Sequence, residues 1–414
     1  MKKIMIMGVG AQGSTVAQRL DEMPGVEEII CADYDEKAVN ELVKILKKGK
    51  GVKVDGTKQA EIEKAAQGVD LLVNALPLDF AKQCLDTAVS VKANYQDFAC
   101  GTNIIDTGDD WKDWVYGVET MYKEYGKKFE ANGKTAVVGT GSSPGIMCVV
   151  ARRAVRELDT CDTIYTMVYE AVEAKRFLPF WWSPKVALQD MMYPAVAFEN
   201  GKHVETKPFS LPIKRKFPEV GGMEVELFEH NHDEPIYLGF NADRFFKGAK
   251  NIYFKYGGAG IAFAHPLYRA GLLSKKEVEV DGCKVVPFDV ILAHIPPAPK
   301  YKDEIQAIID EGLVSDTGAL VVEAYGVKNG KNVMVDVHLS APGLVDAFAK
   351  SGLTGEMYQT GQGGFLFTKM FVEGKYTQKG LITSDMLTEE QVDYYLDEMA
   401  KLDLTLDVKV KDWK

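Results

Sequence analysis

Ile4-Met-Ile-Met7 runs directly into Gly8-Val-Gly10-Ala11-Gln12-Gly13, and Ser14-Thr-Val-Ala-Gln-Arg-Leu20 follows. The order is an apolar strand, a glycine turn and an amphipathic helix. Gly8 permits the tight turn, Gly10 lets the backbone approach a pyrophosphate, and Gly13 lets the helix pack closely on the strand. The free N–H groups and positive dipole end of that helix then face the phosphates. An acid is expected about 20 residues further on, and Asp33 lies 33 − 13 = 20 residues past the last glycine. Its carboxylate suits the adenosine ribose hydroxyls and repels a 2′-phosphate, and no Arg or Lys stands beside it. The stretch therefore predicts dinucleotide binding by Gly8, Gly10, Ala11, Gln12, Gly13 and Asp33, with NAD favoured over NADP.

Outward from this stretch, strands and helices alternate. Strands are expected at Ile4–Met7, Glu28–Ala32, Gly51–Asp55, Leu71–Asn74, Ala93–Asp97 and Thr135–Val138. Helices are expected at Ser14–Glu22, Glu36–Lys48, Gln59–Gln67, Phe80–Val89 and Asp110–Asn132. Such alternation implies an α/β fold, a doubly wound parallel Rossmann sheet covered on both faces. Ligands of these sheets sit at the carboxyl ends of the strands, so Asn74, Ala75, Leu76 and Pro77 should border the cofactor.

The character changes at Gly139-Thr-Gly-Ser-Ser-Pro-Gly145. Beyond a helix at Ile146–Leu158, strands are expected at Thr163–Ala171, His203–Phe209, Ile252–Tyr256, Val278–Val286, Ala319–Lys328 and Asn332–Leu339. Asn329-Gly330 between the last two is a strong hairpin signal. The middle reads as an α+β domain on a largely antiparallel or mixed sheet. Helices at Gly361–Glu373 and Thr388–Lys401 follow, the latter with Thr388 and Gln391 in capping-box spacing. The expected domains are 1–140, completed by C-terminal helices over about 375–414, and 141–374 for substrate binding, catalysis and dimerisation.

Composition sets the bounds. Lys plus Arg is 49 and Asp plus Glu is 60 in 414 residues, a net charge of −11, which argues against a nucleic-acid binder. Hydrophobic residues at 46% supply a large core. No run of about 18 apolar residues exists, so no membrane span is expected. Cys31, Cys84, Cys100, Cys148, Cys161 and Cys283 include no C-x-x-C pair, which fits a reducing, cytoplasmic compartment and no metal centre. Glu229-His-Asn-His232-Asp-Glu234 has metal-ligand residue types but no third histidine at useful spacing, and reads as a polar loop. Tyr256-Gly-Gly258 and His265-Pro266 read as a glycine turn and its surroundings, with a place in the pocket as the alternative.

The chain resembles the saccharopine dehydrogenase-like family, which includes saccharopine reductase, carboxynorspermidine dehydrogenase and lysine 6-dehydrogenase. The resemblance rests on the glycine fingerprint, Asn74-Ala-Leu-Pro77, Tyr95-Gln-Asp97, Gly141-Ser-Ser-Pro-Gly145-Ile, and Trp182-Ser-Pro-Lys185 followed by Pro194-Ala-Val-Ala-Phe-Glu-Asn-Gly-Lys202. It implies a Rossmann domain, a catalytic α+β domain that also makes a homodimer, and C-terminal helices that return to the Rossmann domain. It further implies an NAD-dependent oxidoreductase that moves hydride at the CH–NH or CH–NH2 carbon of an amino acid or opine- or polyamine-like amine. The chain departs from saccharopine reductases at Val168-Tyr-Glu-Ala-Val-Glu-Ala-Lys175 and in carrying Lys185 where they have arginine, which points towards the lysine 6-dehydrogenase branch.

Amine oxidation needs a base, because the ammonium must lose a proton before hydride can leave. Asp97, at the tip of the fifth strand, is the candidate for that role or for contact with the amino group. Lys185 is the candidate for the substrate carboxylate, Trp182 and Ser183 for the pocket wall, and Glu170, with Glu173 nearby, for a second ammonium. Two alternatives stay open: an NADPH-linked imine reductase and a non-catalytic NAD-binding sensor.

Overall fold

In the computed structural model, residues 1–98, 101 and 103–413 are described. Cys100 lies outside them. The strands, in chain order, are β1 (Lys2–Met7), β2 (Val26–Asp33), β3 (Gly49–Lys53), β4 (Leu71–Asn74), β5 (Asn94–Asp97), β6 (Thr135–Val138), β7 (Thr160–Ala174), β8 (Ala195–Glu199) and β9 (Lys202–Thr206). They continue with β10 (Ile213–Lys216), β11 (Glu224–Glu229), β12 (Asn251–Gly258), β13 (Val278–Val280), β14 (Cys283–Val285), β15 (Leu313–Lys328), β16 (Lys331–Ser340), β17 (Gly380–Thr383) and β18 (Thr405–Asp412).

The chain divides into two compact units. The first comprises 1–153, 236–246 and 357–404. Its sheet has seven strands in the order β17-β6-β5-β4-β1-β2-β3, with every pairing parallel. A parallel sheet covered on both faces needs strands apolar on both sides. Leu71-Leu-Val-Asn74 and Thr135-Ala-Val-Val138 meet that demand, and all eight residues are buried. The order reverses between β1 and β4, and a crevice at the carboxyl ends follows from that topology.

The second unit comprises 154–235, 247–356 and 405–414. Its nine-stranded sheet runs β10-β11-β12-β7-β15-β16-β18, with β8 and β9 branching from β12. Only β12 and β7 pair in parallel; the other neighbours are antiparallel, so the sheet is mixed. One face packs Phe254 and Tyr256 of β12 against Leu188 and Met191 of the helix Pro184–Met192 and Ile261 and Ala264 of the helix Ala259–Arg269.

Several expectations need correction. The single helix over Asp110–Asn132 is two helices, Asp110–Thr120 and Gly126–Ala131, joined by a π-helical turn at Met121–Tyr125. That wide turn carries Tyr122, whose hydroxyl lies 2.7 Å from Thr383 Oγ1. The single strand over Val278–Val286 is the hairpin β13–β14. Asp281 and Gly282 both take positive φ, 49° and 78°, as a type I′ turn requires. The C-terminal stretch is not simply helical. Gly380–Thr383 is the seventh strand of the parallel sheet, Glu389–Ala400 is the one long helix after it, and β18 pairs with β16 in the second sheet. Residues 405–414 thus join the second unit, and 357–374 join the first. No helix of the described residues is long and apolar enough to cross a membrane.

Candidate active site

The glycine turn is built as its spacing demands. A Cβ on Gly13 would lie 1.9 Å from Gly8 O, and one on Gly8 would lie 2.7 Å from Ala75 O. Those two glycines therefore serve packing within the fold. A Cβ on Gly10 would meet nothing within 4 Å, and Gly10 is exposed. Gly10 is also the N-cap of the helix Ala11–Asp21, which has no side-chain cap and no acid in its first turn. Open space in front of uncapped N–H groups is the cradle a pyrophosphate needs, so the residues fit a dinucleotide. Ala11 and Gln12 are half-buried in the first turn of that helix.

Asp33 ends β2 with 9% exposure. Its Oδ2 accepts from Val9 N at 2.9 Å and its Oδ1 from Asp35 N at 3.0 Å. The carboxylate thus ties the glycine turn to the start of the next helix. Asp35 and Glu36 at that start add two more negative charges.

At the tips of β4 and β5 lies a polar network. Asp97, 1% exposed, accepts from Tyr95 Oη at 2.5 Å and from Asn74 Nδ2 at 3.0 Å. Asn74 Oδ1 in turn accepts from Leu76 N at 3.2 Å. Ala75 N donates to Met7 O at 2.7 Å, so this loop sits beside the glycine turn. Pro77 is exposed and caps the short 3-10 turn Leu78–Phe80.

The second unit gathers its polar groups on the helix-covered sheet face. Tyr256 Oη donates to the Glu170 carboxylate. His230 stacks on Tyr256, with centroids 4.8 Å apart, and His232 stacks on Phe254 at 4.0 Å. His232 Nδ1 bonds the fully buried Glu234 carboxylate. Burial drives Glu170 above the usual carboxylate range, and drives Asp190 up to about 7 against the pull of His232. Burial and then His232 push His230 down to about 3. Burial also works against the His232 cation, but Glu234, Asp233 and Asp190 hold its pKa above the ordinary value. Among the described residues no group of three or more His, Cys, Asp or Glu side chains is placed to hold a metal.

The Trp182-Ser-Pro-Lys185 motif opens the helix Pro184–Met192. Ser183 is its N-cap, with Oγ accepting from Val186 N at 3.4 Å. Trp182 is half-buried against the cluster that holds Phe254 and Tyr256, whereas its neighbour Trp181 is anchored in the core through Nε1 to Val172 O at 2.8 Å. Lys185 is exposed in the helix's first turn. A cleft of about 480 Å³ opens nearby, lined by Tyr169, Glu226, Phe228, Gly258, His265 and others. Gly258 and His265 line this cleft, Gly258 as the N-cap and His265 as a member of the helix Ala259–Arg269. The sequence pattern alone missed Asp190, His230 and His232. The His-x-His spacing marked the segment, but only the fold shows its rings stacked on β12.

Residues 4–137 match the family model described as the saccharopine dehydrogenase NADP binding domain. Carboxynorspermidine synthase of Vibrio alginolyticus is 25% identical over 348 residues, 81% of this chain and 76% of that one. Carboxyaminopropylagmatine dehydrogenase of Synechocystis sp. is 23% identical over 413 residues, 97% of this chain and 96% of that one. Apo saccharopine dehydrogenase (L-Glu forming) of Saccharomyces cerevisiae shares the fold with a TM-score of 0.68 at 14% identity, covering 99% of this chain and 100% of that one. Nucleotide cradle and fold agree with these likenesses: residues 4–137 form a nicotinamide-dinucleotide-binding domain, and the chain is an NAD(P)-dependent oxidoreductase similar to the saccharopine dehydrogenase-like proteins.

Proposed function

We propose that the chain is an NAD-preferring dehydrogenase acting at the CH–NH carbon of a carboxylated amine of the amino-acid or polyamine type. The observation that carries the dinucleotide is the open space at Gly10 before an uncapped helix. The amine class rests on the names of the relatives, carboxynorspermidine synthase and carboxyaminopropylagmatine dehydrogenase. NAD preference rests on Asp33, backed by Asp35 and Glu36, because a 2′-phosphate would meet three carboxylates. The family model's NADP binding description favours the second reading, an NADPH-linked imine reductase.

The bound nicotinamide supplies or accepts hydride. The amides at Gly10, Ala11 and Gln12 receive the pyrophosphate, and Asp33 receives the adenosine ribose. Asp97 and Tyr95 hold Asn74, which fixes the amide of Leu76. At 1% exposure Asp97 is a positioning residue here rather than the open base its strand-end place suggests. Lys185 takes the substrate carboxylate. A lysine in the first turn opposes the helix dipole, an arrangement that an incoming anion relieves. Glu170 faces the substrate's ammonium, and Trp182 walls the pocket. A homodimer is the expected assembly, and light scattering on the purified chain tests it.

The deciding experiment is a screen of NAD reduction and NADH or NADPH oxidation over amino acids, diamines and carboxylated secondary amines. Turnover is expected with amines. Activity confined to alcohols or hydroxy acids would overturn the reading.

A further inference from the structure

NAD and NADP differ by one phosphate on the adenosine ribose, and the sheet places beside the ribose acid a cation that chain order hides. β2 and β3 pair in parallel, and the last registered pair sets Asp33 opposite Lys53. Val54 N donates to Asp33 O at 2.9 Å, which holds that register. Registered residues of neighbouring strands project from the same face of the sheet, about 4.8 Å apart. Lys53 is thus the cross-strand neighbour of the acid, although 53 − 33 = 20 residues separate them in the chain. Both stand at the carboxyl ends of their strands, where such a sheet receives its ligand.

The two side chains are held differently. Both Asp33 oxygens are engaged by backbone, with Val9 N and Asp35 N. Lys53 lies on the edge strand, with its side chain 64% exposed and its ammonium 3.6 Å from the Glu36 carboxylate, itself 65% exposed. An exposed pair of this kind is weak and readily exchanged. Nearby lysines are aimed elsewhere. Lys37 leans to Glu41 at 3.9 Å, and Lys58 sits 3.1 Å from Asp55 and 3.3 Å from Glu61.

We propose that Lys53 is a cofactor-selecting residue: it receives the 2′-phosphate of NADP(H), and Glu36 competes with that phosphate for its ammonium. Asp33 sets the preference for NAD and Lys53 limits it, so the chain binds both nucleotides. A phosphate monoester carries about two negative charges near pH 7.5 against one on Glu36, so it draws the lysine away from the carboxylate. The flexible stem of a lysine permits that change of partner. This role rests on the dinucleotide reading and refines its NAD preference. A lysine on an edge strand also discourages the addition of a further strand, but that duty does not distinguish two nucleotides that differ by one phosphate.

The test is fluorescence titration of the full chain with NADH and with NADPH near pH 7.5, at low and at high salt. The wild type should bind both, NADH more tightly, and NADPH affinity should fall more steeply with salt. Lys53→Met should weaken NADPH about tenfold and NADH less than about twofold, and should make the two salt dependences alike. Glu36→Gln should tighten NADPH about threefold. NADPH binding left unchanged by Lys53→Met, or lost in Lys37→Met instead, would overturn the role of Lys53 and leave the dinucleotide reading standing. A wild type that binds NADH but not NADPH would do the same. Should a variant fail to fold, equal salt dependence of the two nucleotides in the wild type would overturn it. Binding of neither nucleotide would remove the dinucleotide reading and the role of Lys53 together.

Discussion

Gly10 and Gly13 stand three residues apart and differ in what surrounds them. Gly13→Ala puts a Cβ 1.9 Å from Gly8 O, so the backbone must move, and the expected result is a sharply lowered Tm. Gly10→Ala meets nothing within 4 Å at an ordinary φ of −66°, so Tm should change little. The new methyl fills the phosphate cradle, and NADH affinity should fall at least about tenfold, read by fluorescence titration. Intact NADH binding in Gly10→Ala would show that the pyrophosphate does not sit at Gly10. Asp33→Ser tests the charge beside the ribose. The NADPH to NADH ratio of kcat/KM should rise at least about tenfold, because repulsion of the 2′-phosphate is relieved. Some loss of Tm should accompany it, since Val9 N and Asp35 N lose their acceptor.

At the scale of elements, the helix Pro184–Met192 carries a testable conflict. Lys185 lies at the positive end of its dipole, so Lys185→Met should leave Tm unchanged or slightly raised. If the lysine serves the substrate carboxylate, KM should rise about tenfold with kcat nearly constant. An unchanged KM would leave Lys185 a surface residue. Element types were mostly legible where period and turn chemistry agree: β4 and β6 fall at the expected residues, and Asn329-Gly330 turns β15 into β16. Legibility failed where a local signal was outvoted. The pattern over Asp110–Asn132 stays helical through the π turn, because an added residue hardly disturbs a short apolar stripe. Asp281-Gly282 carried the same turn chemistry as Asn329-Gly330, but three-residue strands give too few alternations to announce themselves. In the glycine turn, Gly8 and Gly13 were readable because the motif is contiguous with its strand and helix. Asp190 was not, because its partner His232 is 42 residues away (232 − 190) and only the packed sheet brings them together.

Across the whole molecule, buried ionisable groups set the pH response. Burial lifts Asp190 and Glu229 to about 7 and Asp385 to about 6, and His232 and His338 are held above their ordinary value by nearby carboxylates. Each binds its proton more tightly folded than unfolded, so each contributes stability that is lost as pH rises through its folded pKa. His230, at about 3, has the opposite sign, but its contribution is complete once the unfolded imidazole is neutral, about one pH unit above its ordinary 6.5, and it is one group against several. Tm should therefore fall between pH 6.5 and 8, and the fall should be shallower in Asp190→Asn. A flat or rising Tm over that range would contradict these assignments. The chain path has a consequence of another kind. The seven-stranded sheet of the first unit ends in β17, whose residues 380–383 are made after the whole second unit except β18. Until then β6, buried at every residue when complete, is an open sheet edge. At about 5–20 residues per second, a ribosome exposes that edge for at least about ten seconds. A fragment ending near residue 153 would keep it exposed for good. The half-built sheet thus presents one unpaired strand edge for the whole time the second unit is being made.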